Sequence, residues 1–219
     1  MICSISDNLI NAFEGKGYYA VSIALVLLVI FLFVFVVEKR KMTLRDVVLI
    51  AVLVSLAVAG RLVFFMLPQF KPCAAIVIIA GIMLGKEAGV LAGMLTAFVS
   101  NFFFGQGPWT PWQMVGFGAV GLVAAFVFSG NILKTNKTEN KILLSVFGFV
   151  VTVVAYGLIV DTGSVFMMLD RPTVAGALSI YGAGILFNVT HAVATAVFLW
   201  ILARPLMSKI ERVQKKYSM

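Results

Sequence analysis

The chain has 219 residues, of which 62% are hydrophobic and only 12% are charged, and its mean hydropathy is +1.07. Soluble domains carry about 25% charged residues, so this composition excludes a soluble globular protein and indicates an integral membrane protein. The net charge of +8 does not indicate nucleic-acid binding, because the basic residues cluster at the ends of apolar runs. Cys3 and Cys73 are too few for a disulfide framework or a metal site.

Seven apolar runs predict seven transmembrane helices. In chain order the runs are 18–37, 46–66, 73–84, 87–104, 113–129, 142–160 and 176–203. A bilayer-spanning helix needs roughly 20 residues, so the twelve-residue third run could on length alone be re-entrant. The segments that flank runs three and four are both predicted outside, so these two runs must both cross or neither can. The fourth is long enough to span, and we therefore expect both to cross.

The first run is expected to stay in the mature protein. The acidic residues Asp7 and Glu14 precede it, whereas a secretory signal has a basic start and a small-residue cleavage site.

The basic residues predict the orientation of these helices. Thirteen of the seventeen Lys and Arg residues lie in segments that this topology assigns to the cytoplasm, as the positive-inside rule requires. The four others are Lys16, Arg61, Lys71 and Arg171. The expected location is therefore the cell membrane, with the C-terminus in the cytoplasm and the segments 67–72 and 105–112 outside.

One segment between two apolar runs has an unusual composition. Residues 100–113 read Ser-Asn-Phe-Phe-Phe-Gly-Gln-Gly-Pro-Trp-Thr-Pro-Trp-Gln. Proline fixes φ and glycine permits positive φ, so the segment predicts a loop of defined shape. Amide and hydroxyl groups beside the flat faces of Trp109 and Trp112 are typical of a small-molecule pocket. The alternative is an interfacial aromatic belt, since Trp is enriched where membrane meets water.

Several polar residues interrupt the apolar runs. Arg61 lies near the outer end of the second run, where it either snorkels to the surface or lines a cavity. Asn101 and Asp161 fall at the outer ends of the fourth and sixth runs. Asn188 and His191 are three residues apart, so they share a helix face and either pack between helices or line a pocket.

Nothing in the sequence predicts catalysis, a metal site or another cofactor. His191 is the only histidine and no ligand cluster surrounds it, so neither a metal centre nor a membrane enzyme acting on lipids is indicated. A self-sufficient secondary transporter would need an ion-coupling site and usually an internal repeat, and neither is visible. These patterns favour a membrane-embedded binder of small molecules that has no energy source of its own.

Residues 43–206 resemble the substrate-binding S components of energy-coupling factor (ECF) vitamin transporters. The resemblance rests on the basic start and small-residue stripe of 45–61, the turn from Gly85 to Gly89, the segment 100–113 and the polar last helix. It implies an all-α membrane bundle of six helices, preceded here by an extra transmembrane helix with a basic linker in 1–42 and followed by a basic cytoplasmic tail in 207–219. The small-residue stripe, defined as Ala51, Ser55 and Ala59, would dock the transmembrane coupling subunit that two ATPases drive.

The segment Gly105–Gln113 looks like that of S components associated with cobalamin. The resemblance therefore implies import of cobalamin or a related corrinoid, with another vitamin or precursor (queuosine-type, folate or riboflavin) or a stand-alone secondary transporter as alternatives. The expected substrate contacts are Arg61, Asn101, Gln106, Trp109, Trp112, Gln113, Asp161, Asn188 and His191.

Overall fold

A computed structural model describes residues 43–128, 138–169 and 173–216, together with five positions between 24 and 31. These residues form helices joined by short loops, and no strand occurs among them, which confirms the predicted all-helical membrane bundle. The helices are α1 (Leu44–Val63), α2 (Cys73–Leu84), α3 (Lys86–Phe104), α4 (Thr110–Val127), α5 (Thr138–Val151), α6 (Leu158–Met168) and α7 (Val174–Lys216).

A π-helix, Thr152–Gly157, joins α5 and α6 into one continuous helical segment. With this segment counted once, five of the described helices are long and apolar enough to cross a membrane, and α2 is a shorter apolar helix. The predicted run 18–37 lies outside the described residues apart from the five helical positions between 24 and 31. Lys39, Arg40, Lys41, Lys134, Lys137 and Arg171 also lie outside them.

Several predicted helix ends differ from the structure, three of them beside a proline or a charged residue. The fifth run begins at Thr110 and not at 113, because Pro111 fits the first turn of a helix, where its missing N–H is not needed. The sixth continues past Asp161 to Met168, and the last continues past Arg204 to Lys216. A polar or charged residue ends an apolar run, but it does not by itself end a helix.

The short helix α2 occupies the centre of the bundle. Its twelve residues span about 18 Å, less than the roughly 30 Å of a hydrocarbon core. Residues 73–81 are all buried, and α1, α3, α4 and α7 pack around the helix. Since α2 faces protein on its sides, it does not need the length of a lipid-exposed span.

Glycines allow α3 and α4 to approach each other closely. A Cβ atom added to Gly89 would lie 2.8 Å from the carbonyl oxygen of Gly121 and 2.7 Å from the Cα of Gly81. Small residues at such crossings let helix backbones meet, as membrane bundles commonly require. These glycines therefore serve helix packing.

Helix α1 begins with a capping box, in which Thr43 Oγ1 accepts from the Asp46 amide at 3.3 Å and Asp46 Oδ2 accepts from the Thr43 amide at 3.2 Å. One face of α1 buries five apolar residues (Ile50, Leu53, Val54, Ala57 and Val58) against the bundle. All three residues of the small-residue stripe are exposed. The stripe therefore does not pack within the described bundle.

Candidate functional site

Arg61 points into the bundle at the end formed by segments 64–72 and 105–109, which we call the loop end. Its Nη1 donates to Asn101 Oδ1 at 2.8 Å and to Ser100 Oγ. Its Cζ lies 4.3 Å from the centroid of the Phe104 ring, a cation–π geometry. Asn101 and Ser100 are buried, so the inward orientation of Arg61 matches the cavity interpretation of the sequence and not the snorkelling one.

Asn101 joins Arg61 to the segment that follows α3. Its Nδ2 donates to Gln113 Oε1 at 2.8 Å and to Thr110 Oγ1 at 3.0 Å. The Thr110 hydroxyl in turn donates to Gln106 Oε1 at 2.9 Å, and Gln106 Nε2 donates to the Phe98 carbonyl at 2.9 Å. Such a connected network holds its members in one arrangement, so segment 105–109 is tied to both α3 and α4.

The two tryptophans of this segment do not share one role. Trp112 is buried in α4 and stacks on Phe166, with ring centroids 6.0 Å apart and an interplanar angle of 18°. Trp109 is 40% exposed and lies against Gly107 in the loop. Neither side chain lines the two cavities described below. In this conformation the tryptophans pack and shape the loop end.

Asp161 and Asn188 form a second polar pair, between α6 and α7. The two side chains bond each other across the helices: Asn188 Nδ2 donates to Asp161 Oδ2 at 2.7 Å. A Cβ atom at Gly184 would lie 2.8 Å from either carboxylate oxygen of Asp161, so the glycine makes room for the carboxylate. Asp161 lies about two turns before the end of α6 and not at a helix end as predicted.

A cavity of about 290 Å³ opens beside this pair and is called the main cavity. Its polar lining consists of Gln69, Gln113, Tyr156, Asp161, Ser164 and Asn188, and its apolar lining includes Val160, Met168, Ile180 and Phe187. An apolar wall with a few convergent polar groups is typical of a small-molecule site.

A smaller space of about 60 Å³, the basic chamber, adjoins the main cavity. The two share Gln69, Gln113 and Tyr156 as lining, and the chamber adds Arg61, Lys71, Cys73, Phe117 and His191. The His191 ring lies edge-on to Tyr156 at 4.8 Å and to Phe117 at 5.9 Å. His191 is buried, and its Nδ1 has no hydrogen-bond partner in the described part of the chain.

The chamber carries uncompensated positive charge. Burial lowers the pKa of the Lys71 ammonium from its usual value, and the nearby Arg61 guanidinium lowers it further. Within residues 43–128, 138–169 and 173–216, no carboxylate oxygen lies within 4.0 Å of either cation. An anionic group entering the chamber would therefore meet positive charge that no carboxylate of these residues neutralises.

The structure groups some of the nine predicted substrate contacts and separates others. Gln113, Asp161 and Asn188 line the main cavity, whereas Arg61 and His191 line the basic chamber. The other four, Asn101, Gln106, Trp109 and Trp112, support the loop end without lining either space.

Sequence reasoning missed several lining residues, among them Gln69, Lys71 and Tyr156. Gln69 has a φ of 56°, which is rare for a residue with a side chain and often occurs near functional sites. The prolines at 68 and 72 were the available signal that this loop is shaped. Among the described residues, no group of three His, Cys, Asp or Glu could hold a metal ion.

Comparison with known proteins places the chain in a family. Residues 41–209 match the model of the ECF-type riboflavin transporter S component. UPF0397 proteins of Aliivibrio fischeri (strain MJ11) and Aliivibrio salmonicida (strain LFI1238) are each 27% identical over 125 residues, which cover 53% of this chain and 68% of the relative. A UPF0397 protein of Vibrio atlanticus (strain LGP32) is 29% identical, with coverages of 55% and 67%.

No solved structure matches the chain. The family is one of transporter subunits and not of enzymes, and membership implies a small-molecule substrate and a partnership with ECF transporter subunits in the membrane. Because the family model covers most of the sequence, the chain belongs to the family of ECF-type riboflavin transporter S components.

Proposed function

We propose that this protein is the vitamin-binding subunit of an ECF-type importer and captures its vitamin in the main cavity and the basic chamber. The observation that carries the proposal is the convergence of Gln113, Asp161 and Asn188 on one cavity of about 290 Å³. Family membership supports transport as the purpose of that cavity.

We propose that the loop end faces the outside and the C-terminus the cytoplasm, as the bias of Lys and Arg supports. Trp109 is exposed at the loop end, so a cysteine introduced there should react with a membrane-impermeant maleimide in intact cells. The control is the same protein without the introduced cysteine. Labelling only after the cells are broken would contradict this orientation.

The first candidate ligand is cobalamin or a related corrinoid. The resemblance of segment 105–113 to cobalamin-associated S components supports it. Gln69, Gln113 and Asn188 also bring amide groups, which both donate and accept hydrogen bonds, to the amide-rich rim of a corrinoid. The main cavity can enclose only part of so large a molecule, so binding requires the rest to project through the loop end.

Riboflavin is the second candidate, and the size of the cavity favours it. A volume of about 290 Å³ lies at the lower end of the range of about 300–1,000 Å³ for sites that enclose small molecules. The cavity combines apolar residues such as Val160 and Phe187 with polar groups, which suits a flat ring system with polar edges. The matching family model is also that of a riboflavin transporter S component.

Titration calorimetry of the purified protein against cobalamin and riboflavin decides between the two candidates. Tight one-to-one binding of cobalamin with no riboflavin signal supports the corrinoid, and the reverse result replaces it with the flavin. Absence of binding for these vitamins, and for folate and queuosine-type precursors at micromolar concentration, contradicts the proposed function.

We further propose that the exposed small-residue stripe on α1 docks the transmembrane coupling subunit that two ATPases drive. Small residues let a partner helix approach closely, and these three do not pack against the described bundle. Vitamin uptake in a host should then require co-expression of the coupling subunit and both ATPases. Uptake by this chain alone would instead support a stand-alone secondary transporter.

The match over residues 41–209 supports a six-helix domain close to the predicted 43–206. The predicted N-terminal helix and the basic tail would then flank that domain.

A further inference from the structure

The two adjoining spaces differ in charge. Among the residues that line the main cavity, Asp161 is the only acidic or basic side chain, and it is bound to Asn188 at 2.7 Å. The basic chamber is lined by Arg61, Lys71 and His191, and by no carboxylate. A ligand that occupies both spaces would therefore experience opposite charge at its two ends.

We propose that the basic chamber is a subsite for a phosphate group of the vitamin, while the rest of the ligand occupies the main cavity. The inference rests on the proposed function and deepens it, because it specifies a phosphorylated vitamin as the preferred substrate. A chamber of about 60 Å³ has room for a few water molecules or one compact group, and not for a ring system.

The donors that surround the chamber suit a phosphate. Arg61 is held in place through Nη1 by Asn101 and Ser100, and a guanidinium has five N–H donors, so donors remain for a ligand. Lys71 supplies three donors from the loop that precedes α2. Hydrogen bonds from charged donors to phosphate oxygens are roughly twice as strong as neutral ones.

None of the described groups that contact Arg61 neutralises its charge. Ser100, Asn101 and Phe104 contact the guanidinium but none carries a negative charge, so they orient Arg61 without neutralising it. A second cation, Lys71, lies over the same Phe104 ring at 5.4 Å. Two like charges gathered in a partly buried space are costly unless something pairs with them. His191 also lines the chamber, and its buried Nδ1 has no hydrogen-bond partner among the described residues.

The test compares matched ligands that differ by one phosphate. Dissociation constants are measured for riboflavin against riboflavin 5′-phosphate, and for cobinamide against cobinamide phosphate, with the purified full chain. In the pair that binds, we expect the phosphorylated member to bind at least tenfold tighter. Lys71→Gln should lower this ratio severalfold, with Arg61 retaining part of it, whereas Lys86→Gln, at the opposite end beside Phe126, should leave it unchanged.

Three results would overturn the inference. The first is equal affinity of the wild-type protein for both members of a pair that binds, which would leave the proposed function intact. The second is a phosphate preference that is undiminished in Lys71→Gln. The third is absence of binding for all four ligands, which would overturn the subsite and, where cobalamin, folate and queuosine-type precursors also fail to bind, the proposed function with it. Because Lys71 lies in a loop, its variant is informative even where Arg61→Gln fails to fold.

Discussion

Arg61 and Asn101 are joined by a hydrogen bond of 2.8 Å, although they come from different helices and are 40 residues apart in the sequence. The acceptor is the side-chain oxygen of Asn101, which leaves its Nδ2 free to donate to Thr110 and Gln113 on α4. One buried amide therefore fixes the position of a cation and of the start of α4.

Asn101→Leu should destabilise the protein, because it removes a buried amide. Arg61 would lose a neutral acceptor, and Gln113 would lose a donor. Losing a hydrogen bond to a charged group costs about 1.5–3 kcal/mol, so the melting temperature in detergent should fall clearly. Thr190→Val is the matched control, since among the described residues the Thr190 hydroxyl donates to the Leu186 carbonyl of its own helix and to no other helix. Equal melting temperatures for the two variants would show that the network around Asn101 has little weight in stability.

Asp161→Ala should weaken binding of the vitamin at least tenfold while the protein still folds. The variant removes a carboxylate that lines the main cavity and leaves Asn188 without its partner at 2.7 Å. Titration calorimetry measures the effect. Ser179→Ala is the control. It removes a hydroxyl on an exposed face of α7 that, in the described structure, bonds a carbonyl of its own helix. This variant should bind the vitamin as the wild type does. Unchanged affinity in Asp161→Ala would place the ligand elsewhere.

Ala51→Trp and Ala59→Trp should abolish transport in cells that carry the complete importer, yet leave vitamin binding intact. An indole on the small-residue stripe would keep a partner helix from close approach without entering the described bundle, because both positions are exposed. Val146→Trp, exposed on α5, adds the same bulk away from the stripe and should transport normally. Normal uptake by both stripe variants would mean that the coupling subunit docks on another surface.

Affinity for a phosphorylated vitamin should fall as pH rises through the lowered pKa of Lys71. In the free protein, burial and the Arg61 guanidinium disfavour the charged form of the Lys71 ammonium, whereas a bound anion favours it. Binding of the anion therefore takes up a proton in this pH range. Because fewer protons are available at higher pH, the affinity falls as pH rises. The other titratable or charged groups that line the chamber are Arg61, Cys73, Tyr156 and His191, and Asp161 lies in the adjoining main cavity.

The measurement is best made above about pH 7.5, where a phosphate monoester, whose second pKa is about 6, is already fully ionised. Lys71→Arg keeps the charge across this range, so the pH dependence assigned to Lys71 should disappear in that variant. The same slope in wild type and Lys71→Arg would assign the titration to another group.

Within the described residues the apolar runs were enough to predict the helices, because lipid selects for long uncharged segments regardless of how they pack. Their ends were harder to predict. Asp161 looked like the end of a helix, yet the neighbouring hydroxyls of Thr162 and Ser164 bond carbonyls of their own helix at 2.6 and 3.2 Å, and the helix continues. In α7 the chain likewise remains helical beyond Arg204 and Pro205.

The candidate site was only partly predictable for a different reason. A polar residue such as Arg61 or Asn188 is conspicuous inside an apolar run, because burying it demands a partner. Tyr156 lies in an ordinary apolar stretch and Lys71 in an ordinary loop, and only the folded bundle brings them to the same chamber. Trp112 drew attention through its sequence neighbours, but its helical position turns it towards Phe166.

The π-helix between α5 and α6 makes the site sensitive to how this helical span is wound. A π-turn accommodates an additional residue within an otherwise α-helical path, and Thr152 in it donates to Thr195 of α7 at 3.2 Å. If Thr152–Gly157 were wound as a regular α-helix with every residue retained, the rest of the span would be out of phase by one residue, a rotation of about 100°. Asp161 would then turn away from Asn188 while every hydrophobic residue of the span remained in the membrane. Hydrophobicity sets how many residues cross the bilayer, but a single inserted residue determines which of them meet.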